Sequence, residues 1–226
     1  MNVNPSKQSG FTLVEIAIVL VIIGVLLAGV LKGQGLINNA HIKGIVNDMN
    51  GVSAAYNGYM DRYHVQPGTE TAVAANTRGW STTAIGASPL VLPVGNTFTA
   101  PTASQQAFWQ VLGASGLFST SPNTLVVPTS SNGGLIGVTI TPFIAGGAGT
   151  NGVPGVSVCE SGVSGIQAEG VDTIIDGQLP ATNIGNNVGN LQGILGASPT
   201  PPAGIAAVAL AYSETAGQTW TLCRSL

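Results

Sequence analysis

The chain opens on a polar stretch, Met1 to Gly10, whose one basic residue is Lys7. Twenty-one almost entirely apolar residues follow, Phe11 to Leu31. As a helix this run is roughly 31 Å long, enough to cross a hydrocarbon core. A single residue interrupts it: Glu15, near its start. A carboxylate inside a membrane span costs on the order of a few kcal/mol unless it is paired or close to the interface, so it marks a function by default. A cleaved secretory signal has a shorter apolar stretch and a small-x-small site behind it. Here the run is followed by Leu31-Lys32-Gly33-Gln34, so the segment is expected to stay in the mature protein.

Beyond Leu31 the pattern changes from apolar all round to one-sided. Leu36, Ile37, Ile42, Ile45, Val46, Met49, Val52, Tyr56, Tyr59, Met60 and Tyr63 recur at the spacing of one helical face. Asn38, Lys43, Asn47, Asp48, Asn50, Asn57, Asp61 and Arg62 occupy the other. Pro67-Gly68 supplies a stop. The spacing therefore predicts one helix from about Phe11 to about Val65, roughly 80 Å long. Its first half suits lipid or the interior of an assembly, and its second half suits packing under a head. Gly24, Gly29, Gly33 and Gly35 weaken it by roughly 1 kcal/mol each relative to Ala. They fit either close helix packing or a stretch that melts on assembly.

The remainder reads as a β-rich head. Ser104 to Phe118 predicts a short amphipathic helix bearing Phe108, Trp109 and Leu112 and stopped by Gly113, with Trp109 in the core. Strands are expected at Leu90–Val94, Thr124–Val127, Leu135–Ile140, Val156–Cys159, Ile205–Tyr212 and Thr219–Cys223. They would form an antiparallel sheet on the amphipathic half of the helix, an α+β fold. Gly146–Gly155 and Asn183–Gly204 read as strand-poor surface loops.

Charge is scarce. Only 7% of the 226 residues are Asp, Glu, Lys or Arg, against about 25% in an average domain. From Gly79 to Cys159 there are 81 residues with no Asp, Glu, Lys, Arg or His. A net charge of −3 gives no basic footprint for nucleic acid. Two histidines and two cysteines leave little for a multi-ligand zinc site, and no cofactor is expected. Cys159 and Cys223 are no CxxC pair, and an even count behind a membrane-type segment favours a disulfide over two buried thiols. His41 and His64 fall on the long helix without a nearby nucleophile at a recognised spacing, and Gly162-Val163-Ser164-Gly165 misses the nucleophile-elbow spacing. No catalytic residue is assigned. Glu160, Glu169, Asp172 and Asp176 form a loose acidic cluster, with Asp172 and Asp176 on one face if VDTIID is helical. It is read as a solvated patch rather than a calcium site.

The segment GFTLVEIAIVLVIIGVLLAGVL, Gly10 to Leu31, resembles the processing and assembly signal of type IV pilins and of the related type II secretion pseudopilins. A short polar leader ends in Gly10, Phe11 follows, Glu15 sits fifth in the mature chain, and an unbroken apolar helix begins. The stretches YNGYMDRYHVQPG and SQQAFWQVLGASGLF are weaker resemblances to pilin-like proteins. The family's helix-kinking Pro is missing, for no Pro lies between Phe11 and Gln66.

The resemblance implies a leader at 1–10, a long helix at 11–66 and a head with an antiparallel sheet at 67–226. It implies cleavage between Gly10 and Phe11 and N-methylation of Phe11 by a prepilin peptidase, with the leader in the cytoplasm. Glu15 would pair with the Phe11 amine of a neighbouring subunit. Partners would be other copies or related subunits, membrane lipid before assembly and an inner-membrane assembly platform. The chain would be single-pass in the inner membrane, then part of an extracellular pilus or a periplasmic pseudopilus. C-terminal disulfide loops are common in pilins, which favours that reading of Cys159 and Cys223. Major pilin, minor pilin and pseudopilin all fit. A bitopic anchored binding protein is the alternative class, and an anchored hydrolase using His64 a remote third.

Overall fold

The first helix, α1, runs unbroken over Leu13–Tyr63 in a computed structural model of the chain. The structure describes residues 12–80, 103–120, 127–140, 143–144, 155–177, 189–197, 206–207, 212, 214 and 218–226. The chain divides into two compact units, residues 1–38 and 39–226. In the first, every side chain from Thr12 to Lys32 is exposed, the aliphatic ones included. An 18-residue window of α1 has a mean hydropathy of 3.0, and the helix is long and apolar enough to cross a membrane.

In the second unit α1 becomes a core helix. Ile42, Ile45, Met49, Val52, Ala55 and Tyr59 are buried at steps of three and four residues, while Lys43, Asn47, Asn50, Asn57, Asp61 and Arg62 stay exposed. Two expected face positions, Leu36 and Ile37, fall in the first unit and remain exposed. The helix ends earlier than Pro67-Gly68. His64 lies just past it in the left-handed region (φ 56°), and its N–H donates to the Met60 carbonyl at 2.9 Å. A residue in this conformation after the last turn is a common way to close a helix, so His64 terminates α1 rather than belonging to it.

The next stretch folds back on the end of α1. Helix α2 (Ala72–Thr77) is capped by Thr71 and followed by Arg78, whose guanidinium lies over the Tyr63 ring (4.4 Å) and the Trp80 ring (5.1 Å). Helix α3 (Ala103–Ala114) continues one residue past Gly113. It buries Phe108, Trp109, Val111 and Leu112. Phe108 stacks on Tyr56, and Trp109 packs against Phe118 (centroids 5.4 Å apart). Trp109 is therefore a core residue.

Strands β1 (Ile136–Thr139), β3 (Ser157–Val163), β4 (Leu191–Ala197) and β6 (Gln218–Ser225) form one antiparallel sheet of order β1-β3-β6-β4. Residues of β2 (Phe143–Ile144) and β5 (Ala206–Ala207) pair in parallel. The pleat sends alternate side chains to opposite faces. Ile136, Val138, Val158, Leu191, Trp220 and Leu222 join the α1 residues in one core. This antiparallel sheet sharing a core with the long helix is the expected α+β layout. Strands β1, β3 and β6 lie where the apolar runs place them. The strands expected at Leu90–Val94 and over most of Thr124–Val127 and Ile205–Tyr212 lie outside the described residues, as does the Gly146–Pro154 stretch.

One expectation is overturned. The segment read as a strand-poor loop, Asn183–Gly204, contains β4, seven residues paired along the last strand. Its Gly193 and Gly196 hide the strand pattern. Gly193 is there because there is no room for more: a Cβ would stand 2.7 Å from Leu222 Cδ2 and 2.9 Å from the Tyr212 ring.

Cys159 and Cys223 are direct cross-strand partners on β3 and β6, joined by a disulfide that closes a separation of 64 residues. It fastens the C-terminal strand at the centre of the sheet. Replacing both by Ser is expected to lower the stability of the 39–226 unit by about 4 kcal/mol from loop-closure entropy, read as a drop in Tm and in the denaturant midpoint. Gly193→Val, which overfills the β4–β6 contact, is expected to cost about 1–3 kcal/mol in the same assay.

Candidate functional site

The candidate assembly residue Glu15 lies in the first turn of α1. Thr12 stands immediately before the helix and Glu15 is its third residue. The Glu15 backbone N–H donates to Thr12 Oγ1 at 3.3 Å. In return Glu15 Oε2 accepts from the Thr12 backbone N–H at 2.8 Å and from its hydroxyl at 2.9 Å. This is a capping box, which satisfies helix-end donors from both directions. The carboxylate also sits at the positive end of the helix dipole. Both bonds to the side chain fall on Oε2; among the described residues Oε1 has no partner. The signal for the capping box is the spacing within Thr12-Leu13-Val14-Glu15. Gly10 and Phe11 lie outside the described residues.

From Glu15 to Lys32 no charged residue intervenes, and the side chains of this span are exposed all round. The helix thus presents a carboxylate at its start, followed by a continuous apolar surface. Chemically, such an end can hold one cation at Glu15, and its flank suits lipid tails or similar helices.

The acidic cluster differs from the expected solvated patch. Asp172 and Asp176 do share helical spacing, on α4 (Gly165–Ile175) and at its C-cap. Yet Asp172 is buried, and the Tyr212 hydroxyl donates to its Oδ1 at 3.4 Å. Burial, reinforced by the charge of Asp176, pushes the Asp172 carboxyl up to about 7. Burial and the neighbouring Asp172 likewise raise Tyr212. Asp176 accepts from the Asn190 and Leu191 N–H groups at 3.0 and 2.8 Å, which fixes the entry to β4. Glu160 is buried on β3, and Glu169 alone of the four is exposed. These carboxyls were drawn into the fold because the strands they meet are distant in sequence. Among the described residues, no three His, Cys, Asp or Glu side chains form a group that could hold a metal ion.

Ser164, in the near-miss nucleophile motif, has a structural task. It caps α4, accepting from Gln167 N at 3.3 Å while Gln167 Oε1 accepts from Ser164 N at 3.2 Å. His64, exposed at the end of α1, forms no such constellation.

The prokaryotic N-terminal methylation motif matches residues 5–31. The chain carries the signature of type IV pilin and pseudopilin precursors. Comparison with curated proteins finds no match, nor does comparison with solved structures. The match ends with the apolar run, so the head is described by its own structure alone. For a prepilin-type chain the motif implies processing by a prepilin peptidase and assembly into a filament. Together with the apolar helix it implies membrane anchoring before assembly.

The buried Asp172 makes a measurable difference to this head. Its carboxyl titrates near 7 when folded and near 3.8 as a free group. The folded chain therefore holds a proton that the unfolded chain has lost, and stability falls as pH rises across that window. Thermal unfolding of wild type and Asp172→Asn from pH 4 to 8 is expected to show the wild type losing ground to the variant up to about pH 7 and none beyond. Parallel profiles would show that the carboxyl is ionised in the fold.

Proposed function

We propose that this chain is a structural subunit of a type IV pilus-like filament, cut between Gly10 and Phe11 and assembled through its apolar helix. Glu15 pairs there with the Phe11 amine of a neighbouring subunit. Residues 1–10 are the leader, 11–66 the segment that contains α1 (Leu13–Tyr63), and 67–226 the head. The methylation motif over residues 5–31 carries the reading. Two structural observations support it: the uncovered apolar surface of α1, and the position of Glu15 in its first turn.

Cleavage would create an ammonium one residue before Thr12. In the free chain Glu15 serves Thr12 through one oxygen. In a filament it would also meet a positive charge from the next subunit. A carboxylate and an ammonium each lose solvation in an apolar bundle, and pairing offsets much of that loss. Apolar helices alone slide past one another, so a single ion pair sets their axial register, the best-attested use of a buried polar group. The leader would remove Lys7, leaving five basic and nine acidic side chains in the mature subunit.

The same motif heads pseudopilins, whose filament is short and periplasmic. The disulfide that ties the C-terminal strand to the sheet favours the pilin reading. The function assigned is structural, with no catalytic residue.

N-terminal sequencing and intact mass of the mature protein are expected to show a chain beginning at N-methylated Phe11. A mature chain that begins at Met1 or Lys32 would overturn the assignment. Glu15→Ala is expected to insert and be processed normally but to enter filaments poorly. Filament yield equal to wild type would remove the pairing mechanism while leaving the processing result intact.

A further inference from the structure

Glu160 lies on a central strand of the sheet and is wholly buried. Its register partners are Ile136 on β1 and Leu222 on β6, both core residues, so it shares their face of the sheet. Its Oε1 makes a short contact with Ser130 Oγ, and Oε2 is buried without a partner. Ser130 Oγ makes an equally short contact with Asn132 Oδ1 and accepts from Asn132 N at 3.2 Å. Asn132 Oδ1 accepts from Gly134 N at 2.8 Å, while Asn132 Nδ2 points to the Ser161 carbonyl. The amide orientation is therefore set on both sides.

Counting protons decides the state of the acid. Three oxygens stand in a row: Glu160 Oε1, Ser130 Oγ and Asn132 Oδ1. A serine hydroxyl carries one proton, an amide oxygen none and an ionised carboxylate none. One proton does not serve two contacts. With Glu160 ionised, one of the two is acceptor against acceptor in a buried site, which is costly. A proton on Glu160 completes the row. Glu160 then donates to Ser130, Ser130 donates to Asn132, and Ser130 Oγ and Asn132 Oδ1 keep their backbone partners.

The surroundings agree. On α1, Asp48 is the charged group whose field reaches Glu160, and it opposes ionisation. On β6, Arg224 shares the face but is drawn to Asn50 Oδ1 at 2.6 Å. Loop 129–135 offers hydroxyl and amide groups only, and β1 offers Ile136. Among the described residues no cation pairs with Glu160. Burial pushes its carboxyl up to about 8.

We propose that Glu160 is a neutral carboxylic acid in the folded protein at neutral pH, and that its proton is the clasp holding loop 129–135 between the sheet and α1. The loop is closed on itself by Ser130 N to Gly134 O (2.9 Å) and Gly133 N to Ser130 O (3.0 Å). Its outer side rests on α1: Ser131 N donates to Asp48 Oδ2 at 2.7 Å, and the Ser131 side chain fills the space left by the missing side chain of Gly44. Loss of the proton takes one of the two hydrogen bonds from the row and sets two negative charges on either side of this loop. The clasp thus makes the attachment of the loop to α1 sensitive to pH. It lies within the 39–226 unit and does not depend on the filament assignment.

The acid titrates near 4.5 as a free group and near 8 in the fold, so its contribution is complete below the first value and falls with rising pH until the second. The test uses the full chain in detergent micelles. Infrared spectra of protein labelled with ¹³C at the glutamate carboxyls are compared between wild type and Glu160→Gln at neutral pH. A protonated-carboxyl band present in wild type and lost in the variant is expected. Its absence from wild type overturns the proposal, whether or not the variant folds. Thermal unfolding across pH 5 to 9 is expected to show the Tm of wild type falling relative to the variant up to about pH 8, then running parallel. A constant difference across the range overturns the proposal. So does a rise in wild-type Tm on adding calcium chloride that the variant lacks, because the group would then be an ionised cation ligand.

Discussion

Among the described residues the side chains of the apolar half of α1 stand exposed, and that constraint organises the molecule. Burying one large aliphatic side chain is worth roughly 1.5–3 kcal/mol. A run of them from Leu13 to Leu31, exposed throughout, has to be covered by lipid or by other helices. The one carboxylate in the run is placed where it costs least, in the first turn, where Thr12 and the helix dipole hold it. A carboxylate several turns further in would have neither. Under the proposed cleavage before Phe11, the position of Glu15 would lie close to the new N-terminus.

Beyond residue 38 the same helix is solved differently. One stripe is buried in a core shared with α3, α4 and the four-stranded sheet, and the opposite side is polar. The sheet it meets is held from the middle: β6, the last strand, pairs with both β3 and β4, and the disulfide joins it to β3. Such a sheet forms only once the C-terminus has returned, because its central strand is the final one. Close approach then matters more than propensity, as Gly193 under Trp220 and Leu222 shows.

Three of the head's acids are used inside it. Glu70, Glu160 and Asp172 are all buried. Glu70 accepts from Gly68 N at 3.1 Å and faces Arg78 at 3.9 Å, in the turn that follows α1. Asp176 fixes the start of β4. A chain so poor in charge has little to spend on its surface, and in this one the acids act as hydrogen-bonding parts of loops and caps. Burial raises the carboxyls of all three buried acids, so proton uptake accompanies folding of the head.

The long helix, its change from apolar to one-sided, the candidate site around Glu15 and three of the sheet strands were legible in the sequence, because each is a local period or a local motif. The Thr12–Glu15 capping box was equally local and was there to be read. Most of what lay beyond the sequence depends on partners far along the chain. β4 carries glycines that lower strand propensity, and only the β6 backbone and the side chains over Gly193 make it a strand. His64 ends α1 through its own left-handed backbone, ahead of the Pro-Gly signal. The acids at Glu160, Asp172 and Asp176 look alike in sequence, and the tertiary structure gives them different surroundings by what it packs against each. The sequence by itself determined a helix with a carboxylate at its head and no cover of its own. The tertiary structure decided which strand closes the sheet and which acids keep their protons, because burial and long-range hydrogen bonds exist only after the chain has folded.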